Sequence, residues 1–271
     1  MKKNLFCIED KVIAITGGYG ILGTQMAIYL AEQGAKIAIL GRSEEKGKSL
    51  AEKIRKSGSE AAFFVSDVLN QDNLEQNKED ILKTYGKLDV LINAAGGNMA
   101  GATIPPDKTI FDLEIKAFKD VIDLNLFGTV LPTLVFSKAM KDNGKGNIIN
   151  IASMSSFRPL TRVMGYGVAK AAVANFTEYM AGELATKFGD NFRVNALAPG
   201  FFITDQNRNL MLNADGSYSE RAKTVLAHTP FRRFGKSEEL LGAIHYLASD
   251  ASSFVNGSIL VVDGGFNSYS I

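Results

Sequence analysis

Val12-Ile13-Ala14-Ile15-Thr16-Gly17-Gly18-Tyr19-Gly20-Ile21-Leu22-Gly23 is the stretch on which the reading of this chain turns. Four apolar residues in a row, without polar alternation, suit a strand buried on both faces. The glycines then let the backbone turn sharply into a helical spacing that runs from Ile21 to Gln33 and closes at Gly34. A strand, a glycine turn and a helix at the first βα unit bring a pyrophosphate against a helix N-terminus. Gly17, Gly18, Tyr19, Gly20, Ile21 and Leu22 are therefore expected to hold a dinucleotide. A ligand-free tight turn would use the same glycines.

Working outward, the same alternation repeats. Apolar runs recur at Lys36 to Leu40, Ala62 to Val65, Leu88 to Ile92, Asn147 to Ile151, Arg193 to Leu197 and Ile259 to Val262. Helical spacing separates them, as in Ser43 to Lys56 before Gly58 and the polar stretch ending near Tyr85-Gly86. Seven runs predict one α/β domain spanning residues 1–271, a doubly wound, Rossmann-type parallel sheet of about seven strands with helices on both faces. No Pro-rich or Ser/Gly-rich linker divides it. Residues 95–109 and 201–233 read as irregular, and both follow strands. Segments leaving the carboxyl ends of strands build the ligand crevice of such sheets, so these two are the expected substrate walls, with 201–233 as a lid.

Composition narrows the function classes. Lys plus Arg number 30 and Asp plus Glu 29 among 271 residues. A chain this near neutrality has no electrostatic case for nucleic acid or an anionic membrane surface. No charge-free apolar stretch of about 18 residues appears, so no membrane span is expected. One cysteine, Cys7, cannot close an internal disulfide, which fits a reducing, cytoplasmic setting. With two histidines, His228 and His245, a metal site of the usual ligand types is not expected. The partner implied is a small molecule.

The second run ends Leu40-Gly41-Arg42-Ser43. A carboxylate there would bind the ribose hydroxyls of NAD(H); none is present. Arg42, beside Ser43, can instead pair with a 2′-phosphate, so NADP(H) is favoured, with NAD(H) open. A solvated arginine at a helix start is the plainer alternative. Asp67, followed by Val68, is placed to accept a hydrogen bond from an adenine amino group, or to cap a turn. Further on, Tyr166-Gly167-Val168-Ala169-Lys170 puts a phenol and an ammonium one helical turn apart. An ammonium near a phenol lowers its pKa toward the range useful for acid–base work, although such pairs usually only decorate a surface. Ser153, thirteen residues upstream, is placed to bind a substrate oxygen that gains negative charge. His245, within a helical stretch from Leu241 to Leu247, reads as packing.

Taken in order, these residues resemble the short-chain dehydrogenase/reductase family over nearly the whole chain. The match rests on the turn from Thr16 to Gly23, Asp67, Asn93-Ala94-Ala95-Gly96, Asn125 within Leu124 to Gly128, Ser153, Tyr166 with Lys170, Pro199-Gly200 with Thr204, and Val262-Asp263-Gly264-Gly265. The resemblance implies a nicotinamide-dependent oxidoreductase, with the cofactor supplying the hydride chemistry. It implies that Tyr166 donates or accepts the proton, that Ser153 holds the substrate oxygen, and that Lys170 binds the nicotinamide ribose and lowers the Tyr166 pKa. Asn125 would hold a water linking Lys170 to solvent. Asn93, Ala94 and Gly96 would line the adenosine side of the groove. Pro199 and the backbone near Phe202 would flank the carboxamide, and Thr204 would touch the carboxamide or pyrophosphate. A tetramer or dimer is also implied. One departure stands out: Ile21 occupies the middle glycine position of the family turn and Gly20 comes one place early, which predicts a turn of altered shape.

A finer similarity points to the sugar-acid branch of the family, the D-mannonate oxidoreductases or fructuronate reductases. It rests on Gly96-Gly97-Asn98, Phe201 to Arg208, Ala227-His228-Thr229-Pro230 and the tail from Asp263. A hexuronate needs a cation for its carboxylate and polar groups for its hydroxyls. Arg162, Asn207 and Arg208 are the expected carboxylate and hydroxyl ligands. Asn98 would reach a hydroxyl, and His228 would hydrogen-bond or balance charge. Another keto substrate, such as a 3-ketoacyl thioester, gluconate or a polyol, is the alternative, and a non-catalytic cofactor sensor a more distant one.

Overall fold

The alternation of apolar runs and amphipathic segments builds the expected βα layers in a computed structural model that describes residues 4–203 and 208–269. In chain order they are β1 (Val12–Thr16), α1 (Ile21–Glu32), β2 (Lys36–Gly41), α2 (Glu44–Lys56), β3 (Ala61–Val65), α3 (Gln71–Tyr85) and β4 (Val90–Asn93). There follow α4 (Ile115–Ile122), α5 (Gly128–Asp142), β5 (Gly146–Ile151), α6 (Met164–Phe188) and β6 (Phe192–Pro199). The chain continues through α7 (Arg208–Met211), α8 (Glu220–Ala227) and α9 (Leu241–Ala248) to β7 (Ile259–Val262).

The seven strands form one parallel sheet in the order β3-β2-β1-β4-β5-β6-β7. Strand residues alternate between two buried layers. Ile13, Ile15, Ile37 and Ile39 pack with Met26, Leu30, Ile244 and Leu247, whereas Val12, Ala14, Ala38 and Leu40 pack with Leu74, Ile81, Phe136 and Leu184. Both faces are covered, which is why the strands read as unbroken apolar runs. The strand order reverses between β1 and β4, and the crevice opens beyond their carboxyl ends.

Two segments depart from a plain reading. The segment 201–233 is not wholly irregular: α7 and α8 lie within it, and its Met211, Ala222 and Val225 form a small core with Phe234 just beyond. Between α4 and α5, Asp123–Phe127 forms a π-helical turn, so a continuous helical path runs from Ile115 to Asp142. This path has a mean hydropathy of 1.3 in its most apolar window and is long enough to span a bilayer. It is nonetheless a layer of the domain, with Val121, Asn125, Thr133, Val135, Phe136 and Met140 buried.

Candidate active site

The glycine turn is shaped by contacts that leave no room for side chains. Gly17 has φ +62°, and a Cβ there would lie 2.9 Å from the Ala95 Cα. A Cβ on Gly23 would sit 2.4 Å from the Gly17 carbonyl oxygen. Gly20 caps α1 and donates its N–H to that same oxygen at 2.9 Å. The displaced glycine pattern thus still makes a closed turn, with Gly20 as the last non-helical residue. Across the crevice, Thr16 Oγ1 accepts the N–H groups of Ala94 (3.1 Å) and Ala95 (3.2 Å), locking β1 to the start of the loop after β4.

A groove of about 420 Å³ runs along these residues, lined by Gly17, Tyr19, Gly20, Leu22, Arg42 and Asp67 among others. Ile21, Val68, Ala94 and Gly96 also line it. The crowded, side-chain-free backbone at its floor and the N-terminus of α1 fit a dinucleotide pyrophosphate. Tyr19 lies over Gly41, where a Cβ would meet its ring at 2.2 Å, and its hydroxyl accepts the Ser43 N–H at 2.7 Å. Ser43 itself caps α2 by accepting from the Lys46 N–H. Arg42 is exposed at the rim. Asp67 is exposed and accepts the Leu69 N–H at 3.0 Å. It is therefore a turn aspartate as well as a groove residue. Asn93 is a correction: its amide is buried between strands, donating to Thr133 Oγ1 and Asn150 Oδ1, both at 2.9 Å. Asn150 continues the chain to Thr177 on α6. Asn93 ties β4, β5 and α5 together and does not line the groove.

The groove joins a second cavity of about 610 Å³ through the shared residues Leu22, Gly97 and Asn98. Ser153 and Tyr166 face it, with Pro199 and Phe202 along the wall. Ser153 follows β5 at the start of a 3₁₀ turn, and Tyr166 is the third residue of α6. Ser153 interacts with the Tyr166 hydroxyl and pulls its pKa down. Ser155, which sequence reasoning missed, donates its hydroxyl to Ser153 Oγ at 3.0 Å. That leaves the Ser153 proton free for Tyr166 or for a substrate oxygen.

Lys170 is buried one turn along α6, with Nζ 5.7 Å from the centre of the Tyr166 ring and donating to the Ile151 carbonyl at 2.7 Å. Burial lowers its pKa to about 8. The expected lowering of the Tyr166 pKa is reversed. Burial pushes the phenol above its ordinary value, and that outweighs Ser153. The Asn125 side chain is engaged with the neighbouring backbone. Both its N–H groups are spent, on the Gly97 carbonyl (2.7 Å) and the Val121 carbonyl (2.8 Å), while Oδ1 accepts the Gly97 N–H at 3.0 Å. No side-chain donor remains for a water, which would have to donate to an oxygen here. Asn125 clamps the Gly96–Gly97 backbone, and a Cβ on Gly96 would sit 2.7 Å from Asn125 Oδ1 and 3.4 Å from Lys170 Nζ. The π turn is what aims Asn125 there.

The expected substrate ligands divide. Asn98 lines the cavity, donating to Thr103 Oγ1 at 2.6 Å. Arg208 is exposed at the start of α7 and does not line the cavity, although Leu210 and Met211 do. His228 is an exposed cap of α8 whose Nδ1–H donates to the Thr224 carbonyl at 2.8 Å, because helix geometry turns it back on its own helix. Arg162 is not itself a lining residue. Thr204 and Asn207 lie outside the described residues. The arginine that does face the cavity, Arg221 on α8, was not anticipated. Its signal was weak, since a helix-start arginine in a lid looks solvated. His245 bridges Tyr29 and the Phe6 carbonyl, in keeping with packing. Among the described residues no cluster of His, Cys, Asp or Glu is arranged to hold a metal.

A dinucleotide groove meeting a Ser–Tyr–Lys cavity at the switch point of a parallel sheet defines a short-chain dehydrogenase/reductase, and the chain belongs to that family. The family model described as enoyl-(acyl carrier protein) reductase matches residues 19–267. The uncharacterized oxidoreductase UxuB of Bacillus subtilis is 42% identical over 97% of each chain. A Haemophilus influenzae protein provisionally named a D-mannonate oxidoreductase, solved with bound NAD, superposes with a TM-score of 0.91. It is 40% identical and covers 98% of this chain and 99% of its own. The gluconate 5-dehydrogenase of Burkholderia cenocepacia, in complex with NADP and tartrate, has a TM-score of 0.87 at 33% identity over 98% of both chains. The protein is a nicotinamide-dependent oxidoreductase acting on CH–OH groups.

Proposed function

We propose that this oxidoreductase interconverts a ketone and a secondary alcohol on a sugar acid of the D-mannonate/D-fructuronate type. The observation that carries the chemistry is the convergence of Ser153, Tyr166 and Lys170, with Asn125 bracing the adjoining backbone, where the groove opens into the cavity. The bound nicotinamide supplies or accepts the hydride. Ser153, oriented by Ser155, donates to the substrate oxygen. Tyr166, held protonated by burial, gives its proton to that oxygen as negative charge develops. Lys170, charged at pH 7, stabilises the resulting phenolate and serves the nicotinamide ribose. Asn125 acts by fixing Gly96 and Gly97. NADP(H) is preferred through Arg42, with NAD(H) as the alternative that the NAD-bound neighbour supports. Residues 201–233 act as the lid. Exposed apolar side chains on α4, α5 and α6, including Ile115, Leu134, Val168 and Tyr179, favour a homo-oligomer, dimer or tetramer. A cytoplasmic setting suits the lone, exposed Cys7.

A second reading has one observation in its favour. Met99, Pro105, Leu160, Val163, Leu210 and Met211 give the cavity largely apolar walls, which suits a 3-ketoacyl thioester. One assay decides between them: oxidation of NADH and NADPH followed at 340 nm against uronates, ketogluconates and ketoacyl thioester mimics. The sugar-acid reading expects D-fructuronate among the best substrates, and a clear preference for thioesters refutes it. Tyr166→Phe should lower kcat at least about 100-fold while cofactor affinity changes little. Retained turnover removes Tyr166 from the proposed role.

A further inference from the structure

Arg221 is the one charged residue lining the catalytic cavity among the described residues; no aspartate or glutamate joins it there. It is the second residue of α8 and so belongs to the lid. Its Nη1 donates to Thr161 Oγ1 at 3.0 Å and its Nη2 to the Thr161 carbonyl at 3.3 Å. Nε is fully buried and has no acceptor. A guanidinium has five N–H groups, so three remain to be satisfied, one of them out of reach of water. The other two, one on each Nη nitrogen, are left for a ligand oxygen.

The surroundings sharpen the point. Neither Arg221 nor the adjacent Arg162 forms an ion pair among the described residues. Burial and the Arg162 charge both disfavour the charged form of Arg221. Arg162 is held in place in a left-handed conformation, φ +74°, with its carbonyl accepting the Ile104 N–H at 3.0 Å. Thr161 and Arg162 therefore tie α8 and the loop after β4 to one short segment, with Thr161 accepting from Arg221. Left-handed backbone at a residue other than glycine persists only where its surroundings enforce it.

We propose that Arg221 is the anion receptor of this cavity, taking the carboxylate of the sugar acid and so selecting it over the neutral sugar. The inference rests on the sugar-acid reading of the same cavity. A carboxylate oxygen can accept a remaining Nη N–H of this guanidinium in a charge-assisted hydrogen bond. Arg162 adds positive potential without needing contact. The carboxylate end of the substrate then lies toward α8 and the reacting carbonyl toward Ser153 and Tyr166.

The test uses the full-length protein and two ketoses, D-fructuronate and D-fructose, which differ only in a carboxylate in place of a terminal hydroxymethyl. In Arg221→Gln the fructuronate-over-fructose ratio of kcat/KM should fall about 30-fold, the scale of losing a charge-assisted hydrogen bond, with the loss in KM. Arg221→Lys should restore part of the ratio. Calorimetric titration of D-mannonate into the protein loaded with reduced cofactor, a non-reacting pair, should show a matching loss of affinity. Melting temperature reports whether each variant is folded. If wild type prefers fructuronate and Arg221→Gln keeps that preference, another group holds the carboxylate; this inference falls and the sugar-acid reading survives. If wild type shows no preference and does not bind D-mannonate, both fall.

Discussion

Lys170 shows how a single residue links the energetics of folding to chemistry. Its ammonium is buried against the Ile151 carbonyl, and its pKa falls from 10.5 to about 8. Below about pH 8 the folded and unfolded chains both hold the proton, and the folded protein bears the full cost of the buried charge. Between about 8 and 10.5 the unfolded chain keeps a proton that the folded chain has shed, so stability rises with pH. Above 10.5 the cost is gone. The whole span amounts to roughly 3 kcal/mol. Urea unfolding at pH 7, 9 and 10 should show wild type gaining stability relative to Lys170→Met across that window. A constant difference between the two proteins would show that the lysine is not held near 8. The same burial keeps the neighbouring phenol protonated, so at neutral pH the resting pair is a proton donor beside a cation.

At the scale of elements, the site depends on where helices begin and where one is interrupted. Gly23 lies in the first turn of α1 and is pressed against the Gly17 carbonyl and the Gly18 backbone. Gly23→Ala must open the turn that holds the groove in shape. Its expected effect is at least about a ten-fold loss of cofactor affinity by fluorescence titration, with destabilisation on the order of 1–3 kcal/mol. Gly182, exposed on α6 with open space around its missing Cβ, is the contrast: Gly182→Ala should stabilise by about 0.5–1 kcal/mol and leave affinity alone. If both variants bind cofactor like wild type, the close packing of the turn is not what shapes the groove. The π turn at Asp123–Phe127 does comparable work for Asn125, aiming its amide at the loop that separates groove from cavity.

At the scale of the molecule, sheet order gathers distant segments at one crevice. The ends of β1 and β4 frame the groove, the ends of β5 and β6 the cavity, and Leu210, Met211 and Arg221 from far along the chain line the latter. A ligand held by so many segments stabilises the whole fold by mass action. NADPH should therefore raise the melting temperature of wild type. Arg42→Ala should reduce that rise by more than it reduces the rise with NADH. Equal reductions would remove the 2′-phosphate pairing from Arg42.

Much of this was legible along the chain. The seven apolar runs lie within a residue or two of the seven strands, because strands covered on both faces must be apolar throughout. Ser153, Tyr166 and Lys170 were legible because local spacing sets the last two on one helix face and the first lies just past a strand. Asn93 misled because a polar residue at a strand end looks like a ligand, whereas here it satisfies Thr133 and Asn150 across the sheet. His228 and Arg208 misled because nearness in sequence to a lid does not say which way a side chain points.

Local pattern, by itself, determined the parallel sheet, the glycine turn and the placing of Tyr166 and Lys170 on one helix, since each depends on short-range periodicity and residue chemistry. Only the tertiary structure decided that Tyr166 is raised and not lowered, that Asn125 braces a backbone, and that Arg221 is the cation in the cavity. Burial, the filling of donors and the direction of a lid helix are properties of packing between segments far apart in the chain, and no local spacing encodes them.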